Sequence, residues 1–207
     1  MRTEKDLAAI ILSAGFSSRM AAFKPLLSMG NSTVIETVIN IFLQAGISDI
    51  TVVLGHRADD LKPVVDRSHV RWILNERYDE GMYSSVVSGV SGLYSARAEV
   101  KGVFLLPVDM PLISCLTIKK ITMAYSISGS HIFYPTYLKQ RGHPPLIPSD
   151  LFSEILAWNG PGGLRSFLER YEARASGVEV QDKGILMDID TPEDYSEICR
   201  VYGKRDE

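Results

Sequence analysis

Cysteine is scarce. The 207 residues contain two, Cys115 and Cys199, far apart in apolar or helical contexts. No paired spacing of a metal or redox motif is present, so the two read as reduced, packed thiols. The chain also lacks an excess of either charge: 23% of residues are charged, the formal net charge is −3, and no long run of one sign occurs. That balance argues against a nucleic-acid partner. No apolar run reaches the roughly 18 residues needed to cross a bilayer, so no membrane association is expected. The opening MRTEKDLAAIILSAG ends its short apolar run in a loop rather than at a small-residue cleavage site, and the expected location is cytoplasmic. Repeats, low-complexity segments and linkers rich in Pro, Ser or charge are absent. A single domain over 1–207 follows.

What is present is an alternation. Apolar runs at 8–13 (AAIILS), 50–54 (ITVVL), 70–74 (VRWIL) and 102–106 (GVFLL) predict strands buried on both faces. Between them, 33–45 places Val34, Ile35, Val38, Ile39, Phe42 and Leu43 at helical spacing, with Gly46 as its stop. The segments 83–97 and 114–126 read as helices too, with Val86, Val87, Val90 and Leu93 as core positions, and HRADDLKPVVDR as one made short or kinked by Pro63. Strand and helix in alternation predict an α/β fold: a Rossmann-like, doubly wound, mostly parallel sheet with helices on both faces. From about 130 the pattern becomes short strands (HIFYP, PPLIP), a polar turn (QRGH) and a glycine-rich junction, GPGG at 160–163. Ligands of such sheets bind beyond the carboxyl ends of the strands, which singles out the loops after 13, 54, 75 and 106.

The first of these loops reads LSAGFSSRMAAFK. After a strand, Leu12, Ser13, Ala14, Gly15, Ser17 and Ser18 offer backbone N–H groups in a narrow cradle, and Arg19 and Lys24 add two cations suited to phosphate oxygens. The alternative is an ordinary strand-to-helix turn with solvated charges. The pattern is neither GxGxxG nor GxxxxGK[ST]. In LLPVDMP, Asp109 closes an apolar strand between two prolines, where a carboxylate suits a hard divalent cation; a surface turn is the alternative. In DIDTPED, Thr191 and Pro192 read as helix cap and first residue. Asp188 and Asp190 alternate by two, so if the strand persists one of them faces Asp109. His143 reads either as a ligand contact or as part of a proline-bounded turn.

LSAGFSSRM with Lys24, NERYDEGMYSSVVSGV, VDMP, RGHPPLI and DIDTPED follow one another in the order of the molybdenum cofactor nucleotidylyltransferases, which the chain resembles over essentially its whole length. These are MobA-like NTP transferases of the nucleotide-diphospho-sugar transferase superfamily, with cytidylyl and guanylyl branches. The resemblance implies Mg²⁺-dependent transfer of a nucleoside monophosphate from an NTP to molybdopterin cofactor, with release of pyrophosphate. It implies Arg19 and Lys24 on the triphosphate and Asp109 on the metal, with Asp190 as its second ligand ahead of Asp188. Asn75, Ser84 and Ser85 would face the nucleotide, and Gly142, His143, Pro144 and Arg165 the acceptor. Residues 1–127 would form the nucleotide-binding half and 128–207 the acceptor-binding half that completes the metal site. A molybdoenzyme or its maturation chaperone would receive the product. In the family's pattern Ala14 goes with CTP rather than GTP. The chain departs from that pattern at Ala21, where glycine is usual, and at Pro161, where GPGGLR replaces an acidic residue but keeps Arg165. A sugar or polyol phosphate acceptor, or a non-catalytic cofactor-binding role, stands as the alternative.

Overall fold

The computed structural model describes residues 4–16, 20, 22–97, 99–128 and 130–203. In chain order the elements are β1 (Leu7–Ser13), the short hairpin β2 (Ser28–Met29) and β3 (Ser32–Thr33), α1 (Val34–Gln44), β4 (Ile50–Leu54), α2 (Ala58–Arg67), β5 (Arg71–Leu74), α3 (Met82–Ala96), β6 (Gly102–Pro107), α4 (Cys115–Ser128), β7 (Ile132–Tyr137), β8 (Gln140–Arg141), β9 (Leu146–Pro148), α5 (Phe152–Ala157), α6 (Gly163–Glu169), β10 (Ala175–Glu179) and α7 (Pro192–Gly203). The main sheet runs β10-β7-β9-β6-β1-β4-β5, with β8 paired to β7. β1 pairs in parallel with β4 on one side and β6 on the other, β5 continues the parallel run beyond β4, and β9 is antiparallel to both β6 and β7.

Both faces are covered because β1 is apolar on both. Leu7, Ala9 and Ile11 join one core with α1, α2, α4 and α7, while Ala8, Ile10 and Leu12 join a second core with α3, α5 and α6. Period-two alternation thus divides a continuous apolar strand between two helical layers. Close approach of α3 depends on glycine: a Cβ at Gly89 would stand 2.7 Å from Ile10, and one at Gly92 2.1 Å from Ile73. α1 starts at a capping box, in which Thr33 accepts from the Glu36 N–H and the Glu36 side chain accepts from the Thr33 N–H.

Several expectations are refined. α2 runs from 58 to 67 with Pro63 inside it. Gln140 and Arg141 form β8 rather than only a turn. Val87 is half-buried, unlike Val86, Val90 and Leu93. The segment 187–190 is not a strand. Among the described residues, no helix is long and apolar enough to cross a membrane.

Candidate active site

The parallel strand order β5-β4-β1-β6 reverses direction of travel at β1, and the crevice outside the carboxyl ends of β1 and β6 is where such a sheet leaves room for a ligand. A cavity of about 360 Å³ lies there, bounded by the loop after β1 (Leu12 to Phe16), Lys24, the segment leading into α3 (Tyr78, Gly81, Met82, Ser85) and the end of β6 (Pro107 to Asp109). The β1 loop is backed by the loop after β4. The His56 N–H donates to the Ala14 carbonyl at 3.1 Å, and Gly55 lies so close that a Cβ there would sit 2.7 Å from those of Ala14 and Tyr78. A Cβ built on Gly15 meets nothing within 4 Å among the described residues. Ser17, Ser18, Arg19 and Ala21 lie outside the described residues.

The charged centre is formed by three residues distant in sequence. Lys24 is 8% exposed, and its Nζ donates to Asp190 Oδ1 at 2.9 Å and stands 3.6 Å from Asp109 Oδ2. Burial pushes the Asp109 carboxyl above the usual aspartate range; Lys24 opposes that rise, and the charges of Asp188 and Asp190 add to it. Asp188 and Asp190 therefore both act on Asp109, in place of the expected strand with one acid on each side. The reason is a single main-chain bond, Ile189 N–H to the Asp109 carbonyl at 2.9 Å, which pins buried Ile189 and brings its two acidic neighbours to the end of β6. Thr191 and Pro192 start α7 as expected, with the Asp194 carboxylate accepting from the Thr191 N–H at 2.8 Å and its hydroxyl at 2.9 Å.

Among the described residues no group of three or more His, Cys, Asp and Glu side chains is arranged to hold a metal ion. Two carboxylates do converge on one cation, Lys24 Nζ, within 4 Å. Two hard oxygen donors beside a cavity fit Mg²⁺ or Mn²⁺, which is commonly held by one or two carboxylates with the rest of its shell from phosphates and water.

Other candidates fall elsewhere. Asn75 is buried, and its polar atoms are engaged within its own loop: Nδ2 donates to Ser84 Oγ at 2.8 Å and to Ser85 Oγ at 3.0 Å, and Oδ1 accepts from the Arg77 N–H at 3.0 Å. Ser85 lines the cavity; Asn75 and Ser84 shape the turn that borders it. Gly142 is required by packing, since a Cβ there would stand 2.4 Å from the Ile185 carbonyl oxygen. The next N–H, that of His143, donates to the same oxygen at 3.0 Å, and the His143–Pro144 bond is cis. Burial pushes the His143 pKa down, against the opposing charge of Asp188, and its Nδ1 is buried with no hydrogen-bond partner among the described residues. Arg165 is in a different place, on a second cavity of about 530 Å³ with Tyr83, Trp158 and the GPGG glycines. The two cavities adjoin at Met82, which lines both. The four residues expected on the acceptor are thus not gathered in one pocket.

Sequence reasoning missed Phe16, Tyr78 and Met82. Phe16 packs its ring against His56 and Tyr78 at centroid distances of 5.0 and 5.4 Å, and the rings of Phe16 and Tyr78 border the first cavity. The signal was an exposed aromatic directly after a glycine loop. Asp182 was missed as well: it accepts from the Ser114 N–H at 2.8 Å, the Thr117 hydroxyl at 2.7 Å and the Gly184 N–H at 3.0 Å, clamping the start of α4 to the C-terminal segment.

A family model described as "MobA-like NTP transferase domain" matches residues 9–175. Among curated relatives, the molybdenum cofactor cytidylyltransferase of Escherichia coli (strain K12) is 28% identical over 187 residues, covering 90% of this chain and 92% of its own. The nicotine blue oxidoreductase of Paenarthrobacter nicotinovorans is 26% identical over 193 residues, covering 89% and 92%. A solved nucleotidyl transferase from Methanothermobacter thermautotroptrophicus superposes with a TM-score of 0.81 at 24% identity, covering 96% of this chain and 98% of that one, and shows the shared fold.

Proposed function

The chain belongs to the MobA-like NTP transferase family, whose enzymes are nucleotidyltransferases, and from that premise we propose that it is a divalent-cation-dependent cytidylyltransferase acting on molybdopterin cofactor. The observation that carries this reading is the meeting of Lys24, Asp109 and Asp190 at the carboxyl ends of β1 and β6 beside a cavity sized for a small ligand. In it, the β1 loop with Gly15 cradles the nucleotide through its main chain, Ala14 favours CTP over GTP, and the rings of Phe16 and Tyr78 border the base. The first half of the chain serves the nucleotide and the second the acceptor.

Asp109 and Asp190 are the residues that would hold Mg²⁺, which supplies charge neutralisation on the triphosphate. A terminal phosphate oxygen of the acceptor attacks the α-phosphorus of the NTP in line; a new P–O bond forms, the α–β bridging bond breaks, and pyrophosphate departs with the negative charge. The attacking oxygen is already anionic, so no side chain has to remove a proton from it. What the protein contributes is orientation by the β1 loop and positive charge from Lys24 and Arg19 on the leaving phosphates.

A thermal-shift panel of CTP, GTP, ATP and UTP with Mg²⁺ tests the nucleotide assignment, since a ligand that binds the folded state raises its melting temperature by mass action. A rise with CTP above the other three is expected. A rise with GTP alone would replace cytidylyl by guanylyl transfer.

A further inference from the structure

We propose that Lys24 competes with a divalent cation for the carboxylates of Asp109 and Asp190, so that metal and nucleoside triphosphate occupy the site as a coupled pair. The inference rests on the reading of these two carboxylates as the cation's ligands. Lys24 Nζ donates to Asp190 Oδ1 at 2.9 Å and lies 3.6 Å from Asp109 Oδ2, with its side chain 10% exposed. A dication on those same oxygens would lie within a few ångströms of the buried ammonium, where like charges repel. One of the two must leave.

The local structure lets Lys24 be the one that moves. Its backbone is fixed in the one-turn helix Lys24–Leu26, whose carbonyl accepts from the Leu27 N–H at 3.1 Å, while four methylenes carry a compact charge with rotatable donors. Lys24 also lines the cavity that the β1 loop borders, so phosphates seated there offer it a replacement anion. Without that anion, displacement would carry the ammonium away from the two carboxylates it contacts with nothing gained in exchange. Without a cation, departure of Lys24 would take from the carboxylates of Asp109 and Asp190 the ammonium they share. Each ligand therefore removes the cost that the other meets, and the coupling is reciprocal.

The test is Mn²⁺ binding to the full chain without nucleotide, by titration calorimetry, for wild type, Lys24→Met, Lys24→Arg and Lys120→Met, the last removing an exposed charge from α4. The expected result is Mn²⁺ affinity about tenfold higher in Lys24→Met, unchanged in Lys120→Met and no higher in Lys24→Arg. Should Lys24→Met fail to fold, Lys24→Gln takes its place. Equal or weaker binding in the neutral variant overturns the exchange, as does an equal gain in Lys120→Met. Absence of Mn²⁺ binding in every form, with CTP present as well, would instead remove the assignment of the two carboxylates.

Discussion

The main-chain N–H of Ile189 donates to the carbonyl oxygen of Asp109 at 2.9 Å, and this bond ties the C-terminal segment to the end of β6. Ile189 is fully buried, so the bond is supported by packing that fixes Asp188 and Asp190 on either side of it. Ile189→Ala is expected to destabilise the protein by about 2–5 kcal/mol through the cavity it leaves. It should also lower turnover beyond what the unfolded fraction explains. Urea denaturation and rates measured well below the midpoint separate the two effects.

Asp109→Asn is expected to reduce turnover by about a thousandfold if the carboxylate holds the cation, since that removes several kcal/mol of charge stabilisation. Stability should move the other way. The folded pKa of Asp109 is raised above 3.8 by burial and its acidic neighbours, so its contribution to stability is present at low pH and is lost as pH rises through the folded pKa. At neutral pH the ionised group is a burden that the amide lacks. A melting temperature at pH 7 equal to or above wild type is the predicted outcome; a clear fall would show that the Lys24 pairing outweighs burial.

His143 gives the opposite slope. Burial lowers its pKa below 6.5 in the folded protein, so the stability that comes from keeping it neutral is present above that value and is lost as pH falls through the folded pKa. Thermal melts from pH 7.5 to 5 should decline on the acid side, and His143→Gln should flatten that decline.

Gly142 separates packing from binding. A methyl group there would stand 2.4 Å from the Ile185 carbonyl oxygen, with nothing soft to yield. Gly142→Ala is expected to cost about 1–3 kcal/mol of stability, the usual range for overpacking. The acceptor KM of the folded fraction should stay near the wild-type value. A large KM effect with unchanged stability would return Gly142 to the acceptor site.

The sheet was legible because β1, β4 and β6 are apolar on both faces, a pattern that leaves few alternatives to a covered parallel strand. Thr191 and Pro192 were legible for a similarly local reason, the chemistry of a helix start. What local pattern could not encode was proximity. Lys24 reads as a phosphate ligand, and local pattern carries no sign that the fold also sets it against Asp190, 166 positions away. Asp188 and Asp190 read as opposite faces of a strand until Ile189 is seen to bond Asp109 and hold the segment as a loop. Gly142 reads as a ligand-facing glycine and Asp182 draws no notice, because the backbone and donors that explain them arrive from other parts of the chain.

Pyrophosphate release tests the central claim most directly. Purified protein with CTP, Mg²⁺ and molybdopterin cofactor is predicted to release pyrophosphate, and to release far less when the cofactor is replaced by a sugar 1-phosphate or omitted. Release with the sugar phosphate but not the pterin would move the acceptor to another class. No release with either CTP or GTP, whatever the acceptor, would contradict the assignment.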